Sequence, residues 1–101
     1  MISEYIRYNI DSVRADEFVK AYETAAGSLR ASEHCLGYDL SRCVESPEKF
    51  ILHILWDSAE GHMKGFRASA QFKSFLQAIR PYVGDIEEMR HYEHTPLRWL
   101  R

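Results

Sequence analysis

The chain has 101 residues, 46% hydrophobic and 28% charged, with a formal net charge of −2. That suits one domain closing a single core without metal or disulfide help, and it is too apolar for a disordered chain. The slight negative charge argues against a nucleic-acid or anionic-membrane partner, and no apolar run approaches the about 18–20 residues that span a bilayer.

The first ten residues lack a basic stretch followed by an apolar one, so no secretion signal is expected and the cytoplasm is the default location. Residues 3–10 carry aromatic and β-branched side chains at alternate places and read as a strand. Asp11-Ser12 offers helix-capping chemistry, and residues 14–33 follow as a helix with the apolar stripe Phe18, Tyr22, Ala25, Leu29. Gly27 weakens its last turn. Residues 36–44 and 49–56 read as two strands joined by the turn Glu45-Ser46-Pro47-Glu48, which predicts a hairpin. Asp57-Ser58 again caps a helix, here in two pieces, 59–67 and 70–80, the second with the stripe Phe72, Phe75, Leu76, Ile79 and stopped by Pro81. Residues 85–94 form a last strand. The tail 95–101 carries Leu97, Trp99 and Leu100 and suits docking on a neighbour.

The order β-α-β-β-α-β predicts an α+β, ferredoxin-like domain over 1–101 with a four-stranded antiparallel sheet, its core within 3–94. Asp11-Ser12 and Asp57-Ser58, each after a strand, echo one another as a duplicated half would. The third strand decides the quaternary expectation. Phe50, Leu52, Ile54 and Trp56 face one side, Ile51, His53 and Leu55 the other, so both faces are apolar apart from one histidine. Helices cover one side only. Leaving Ile51 and Leu55 wet forgoes about 1.5–3 kcal/mol each, and the economical cover is a second copy, giving a homodimer with the sheets back to back.

Several residues carry candidate chemistry. His62 shares a helical face with Met63 and Phe66, so a titratable ring points toward the sheet and could serve as base, acid or ligand. His53 falls on the dimer side, opposite Leu40 and with Tyr38 and Arg42 on its face. His91 and His94, three apart on a strand, point to opposite faces and cannot jointly hold an ion, so no metal site is expected from the linear spacing. Cys35 and Cys43, about 26 Å apart if extended, predict two free thiols. There is no phosphate loop, catalytic triad order or HExxH. A flat apolar molecule could lie among Trp56, Phe66, Tyr38 and the other aromatic rings, with Arg67 near a substrate anion.

Gly37-Tyr38 on a strand, Trp56-Asp57-Ser58-Ala59-Glu60, Phe66-Arg67-x-Ser69-x-x-Phe72, and a closing strand ending His91-Tyr92-Glu93 resemble the antibiotic biosynthesis monooxygenase (ABM) domain family, over about residues 3–94. The resemblance implies a ferredoxin-like protomer, a dimeric α/β barrel and a pocket between helices and sheet in each protomer. It also implies O₂-dependent oxidation of aromatic polyketides or quinols without metal or flavin. Trp56 matches the family tryptophan. The haem-degrading branch places an asparagine, a tryptophan and a histidine where this chain has Ile6, Gly65-Phe66 and Leu76, which excludes haem degradation of that kind. Where quinol-type members often carry a histidine, this chain has Phe66, with His62 one helical turn earlier.

The expected function is a cofactor-independent monooxygenase of a small aromatic or quinol-like molecule. Its base is His62, its wall is Trp56, Phe66 and Tyr38, and its anion partner is Arg67. The alternatives are a non-enzymatic ligand-binding or protein-interaction module of the same fold and, further off, an isomerase or decarboxylating lyase.

Overall fold

Alternation organises the sheet. In the computed structural model, which describes residues 1–101, the first strand β1 (Ile2–Asn9) buries Glu4, Ile6 and Tyr8 on one face, while Tyr5 and Arg7 point to the other. A 3₁₀ turn at Ser12–Arg14 follows, its start held by Asp11 Oδ1, which accepts from the Val13 N–H at 3.1 Å. It leads into the helix α1 (Ala15–Arg30), which buries Phe18, Tyr22, Ala25 and Leu29, the stripe expected from the 3.6-residue period. The strands β2 (Cys35–Arg42) and β3 (Lys49–Trp56) form the hairpin. A π-helical turn at Gly61–Phe66, the helix α2 (Ala70–Ile79) and a 3₁₀ segment Arg80–Asp85 containing Pro81 lead to β4 (Ile86–Glu93). The sheet order is β2-β3-β1-β4, antiparallel throughout, with α1 and α2 packed against each other. This is the ferredoxin-like α+β arrangement, with each long element within a few residues of its expected bounds.

The hairpin register departs from expectation by one residue. His53 lies opposite Asp39, not Leu40, and Tyr38 pairs with Ile54 and Arg42 with Phe50. Tyr38 and Arg42 therefore share the helix-facing side with the core, not the outer face with His53. The loop sets this register, the Cys43 N–H donating to the Lys49 carbonyl at 2.8 Å, and because the side-chain period is two, one residue of register moves every side chain to the other face; a separate irregularity between Cys35 and Gly37 shifts only the far end of the hairpin.

The core is one cluster under the helices, in which Phe18 meets Tyr8, Tyr22, Phe50 and Tyr82 edge-on at 4.9 to 5.2 Å. Burial of each such ring is worth about 1.5–3 kcal/mol. The opposite face of the sheet carries no helix. On it Ile51 and Leu55 are half-buried, Tyr5 stacks on His53 at 4.6 Å, and Ser3 bonds both His53 Nε2 and His94 Nε2. Both cysteines are free thiols, and Leu97, Trp99 and Leu100 in the tail are exposed. No helix is long and apolar enough to cross a membrane.

Candidate functional site

The π-helical turn sets the site. Ser58 Oγ accepts from the Gly61 N–H at 2.8 Å, and the His62 carbonyl accepts from the Arg67 N–H, five residues on, at 3.1 Å. The wider turn buries His62 and Phe66 toward the sheet and leaves Met63 half exposed, so the three do not share one face as regular helical spacing predicts. The turn packs on His34, whose Nδ1 donates to Asp57 Oδ2 at 3.0 Å; this bond holds the Asp57 carboxyl below its ordinary range. A Cβ at Gly61 would strike Asp57 and His34, and one at Gly65 would strike the His34 ring. The two glycines let the turn sit close enough to aim His62 inward.

His62 meets a buried carboxylate there. Glu4, on the central strand, is only 3% exposed. Its Oε1 accepts from Trp56 Nε1 at 3.0 Å and lies 3.7 Å from His62 Nε2, while its Oε2 lies 3.3 Å from His91 Nε2 on β4. The His62 ring is tilted against Trp56 at 4.6 Å and against His91 at 4.9 Å. Neither nitrogen of His62 has a hydrogen-bond partner, although the residue is 4% exposed. A buried unpartnered polar group costs about 1–3 kcal/mol. Burial pushes the Glu4 carboxyl above its ordinary range, against the pull of the Trp56 hydrogen bond and the His91 and Arg67 charges. Burial, then the charges of His91 and Arg67, depress His62 to about 4, so the ring is neutral near pH 7.

A cavity of about 200 Å³ opens beside this cluster, between α2 and the sheet. Glu4, His62 and Arg67 supply polar groups, while Phe66, Phe72, Phe75, Leu76 and Ile79 supply most of the apolar wall. Exposed Val83 and Met89 lie on it too. Cavities of about 150 Å³ take up benzene and typical ligand pockets begin near about 300 Å³, so the space suits one or two fused rings.

His62, Phe66 and Arg67 thus come together on one cavity. Trp56 is fully buried behind His62 and Phe66, a support rather than a lining residue. Tyr38 lies elsewhere. Its hydroxyl accepts from Arg30 at 2.7 Å in a separate groove between α1 and β2 that Val19, Tyr22 and Leu40 also line. Sequence reasoning missed Glu4 and His91 as partners of His62. The signal for Glu4 was present, because it is in phase with Ile6 and Tyr8 on the inward face of its strand.

The family model for antibiotic biosynthesis monooxygenases matches residues 1–78. The uncharacterized protein YczJ of Bacillus subtilis is 24% identical over 93 residues, covering 92% of this chain and 98% of YczJ. Among solved structures, a Bordetella bronchiseptica protein that carries the family's name superimposes with a TM-score of 0.77 at 23% identity, covering 93% of this chain and 96% of its own. One from Deinococcus radiodurans, also carrying that name, does so with a TM-score of 0.77 at 17% identity, covering 100% and 99%. At these identities the structural likeness concerns the fold.

Proposed function

The chain belongs to the antibiotic biosynthesis monooxygenase family, and on that premise we propose that it oxidises a small, flat phenol- or quinol-class molecule with O₂ in the cavity under α2. The observation that carries this reading is a neutral, unpartnered imidazole on an otherwise largely apolar cavity of one- or two-ring size. Buried polar groups left without partners in a folded protein call for an explanation, and a substrate hydroxyl is the one that fits both the space and the chemistry.

In this reading a ring nitrogen of His62 accepts the hydrogen bond, then the proton, of the substrate hydroxyl. Alone, an imidazole held near 4 is a weak base. The Glu4 carboxylate 3.7 Å away offsets that by stabilising the imidazolium as it forms. Arg67, whose guanidinium lies over the Phe72 ring at 5.4 Å, is the cation available to the substrate oxyanion. The electron-rich phenolate reduces O₂ directly. One oxygen atom stays on carbon as a quinone carbonyl, and the other leaves as water with the two hydrogens the substrate gives up. The substrate supplies every electron, so no separate reductant enters. The apolar wall keeps water from the intermediate.

The outer face of the sheet packs, in the same proposal, on a second copy. Ile51, Leu55, Tyr5 and Tyr92 on that face support it, since no helix of the chain covers them. Sedimentation should return a dimer; a stable subunit of 11.8 kDa would remove the barrel.

The test of the activity is oxygen uptake with a panel of dihydroxynaphthalene-type compounds. Wild type should consume O₂ and His62→Ala should not, while both stay dimeric. Uptake that survives His62→Ala removes His62 from the mechanism. Saturable binding with no uptake by wild type makes the chain a binding module instead.

A further inference from the structure

We propose that Glu4, His62 and His91 form a binding site for one divalent transition-metal ion of the zinc class. The three come from β1, the π-helical turn and β4, and one potential ligand atom of each lies within 4.8 Å of the others. Two imidazoles and one carboxylate are a donor set that suits first-row divalent ions and leaves coordination positions open.

The spacing is close to what an ion requires. Bonds of about 2.0–2.2 Å put neighbouring donor atoms about 3.0–3.5 Å apart. Glu4 Oε2 and His91 Nε2 are already 3.3 Å apart, and His62 Nε2 lies 3.7 Å from the other carboxylate oxygen, Oε1. Two independent features point to a ligand. His62, 4% exposed, has both ring nitrogens unpartnered. Trp56 Nε1 holds the Glu4 carboxylate through Oε1, as outer partners do at metal sites, and leaves Oε2 facing His91. His91 is the exposed member and gives an ion its way in. Arg67 is the opposing charge, but its guanidinium is exposed and rests on Phe72, whereas the carboxylate is fixed in the core.

This goes beyond the oxygenation and does not depend on it. An ion seated here ties up His62 and the Glu4 carboxylate on which the oxygenation draws, so the two occupants exclude one another.

The test uses the full chain, stripped with chelator and without substrate. Zn²⁺ is titrated by calorimetry and Co²⁺ by its visible absorption. The expected result is one ion per chain, weakened at least tenfold in each of Glu4→Gln, His62→Ala and His91→Ala and unchanged in His94→Asn. Glu4→Gln keeps an acceptor for Trp56, so it guards against loss through misfolding, which circular dichroism checks in all four. No binding by wild type, or binding that survives the three substitutions or falls with His94→Asn, overturns the proposal. Because no turnover is read, failure here leaves the oxygenation standing, and failure of oxygen uptake leaves this site standing.

Discussion

Tyr8 and Tyr22 sit in the same core as Glu4 and His62, yet the two pairs satisfy their polar atoms differently. The two tyrosine hydroxyls bond each other, and their rings pack edge-on with Phe18 and with each other. The His62 ring is about as deeply buried, packs on Trp56 just as closely, and bonds nothing. A fold tolerates buried polar atoms when they pair, and the tyrosines show that this one can pair them. The unpaired His62 ring is therefore a cost the fold carries for something outside itself.

The largest expected effect tests that division of labour. His62→Ala should lower oxygen uptake by at least about a hundredfold, the low end of what a positioned proton acceptor contributes. Tyr22→Phe, as deep in the core but off the cavity, should leave uptake intact. Equal losses in both variants would mean that the cluster is one more piece of packing.

Alkali should separate the pairs next. Burial, and after it the Glu4 charge, raises Tyr8 to about 12 although the Tyr22 hydrogen bond pulls the other way; burial and Tyr8 raise Tyr22 further still. A folded-state value above the unfolded one means that the native protein holds protons that the unfolded chain releases. The stabilisation is complete below pH 10 and is lost as the pH rises from 10 through 12. For Tyr8 alone that shift is worth about 2–3 kcal/mol. Of the six tyrosines, Tyr8 and Tyr22 should stay silent in a tyrosinate absorbance titration of the native protein near pH 10. If all six ionise together there while the protein is still folded, the pair is not sealed as described.

Much of this was legible beforehand, for a physical reason. Strand and helix periods are local, so Phe18-Tyr22-Ala25-Leu29 and Phe50-Leu52-Ile54-Trp56 declare their buried faces without knowledge of the fold. Register is not local. The loop closes one residue earlier than its turn residues suggest, with the Cys43 N–H on the Lys49 carbonyl, and with that register Tyr38 leaves the company of His53 and joins Arg30 on the other side of the sheet. The cluster is less local still. Glu4, His62 and His91 are far apart in the chain and meet only because β4 pairs with β1 at Glu4↔His91 and the wide turn lowers His62 onto that pair. Linear spacing between histidines could not show it. The inward phase of Glu4 was the one signal available, a carboxylate in an apolar row with Ile6 and Tyr8.

Gly65 tests how the site is held. Gly65→Ala drives a methyl into the His34 ring and should lift the turn that carries His62. The overpacking should cost about 1–3 kcal/mol in a denaturant melt. Uptake should fall with it, while the Tyr8–Tyr22 end of the core keeps its alkaline titration. A fall in stability with uptake unchanged would show that the close approach to His34 does not aim the ring.

The smallest effect is the sharpest, because its sign differs between the two regions. Tyr22→Phe strips the Tyr8 hydroxyl of its partner and should destabilise by about 1–2 kcal/mol, while Tyr8→Phe with Tyr22→Phe together should recover most of that, since an absent pair leaves nothing unsatisfied. His62→Phe removes two unpartnered nitrogens and keeps a flat ring against Trp56 and Phe66, with the adjoining cavity to take the added volume. It should stabilise the protein by about 1 kcal/mol while abolishing uptake. A chelator-stripped sample is needed for the comparison, since an ion on Glu4, His62 and His91 would add its own stabilisation to wild type and reverse the sign. If His62→Phe destabilises the stripped protein as much as Tyr22→Phe does, the ring is part of the scaffold and the contrast between the two regions is lost.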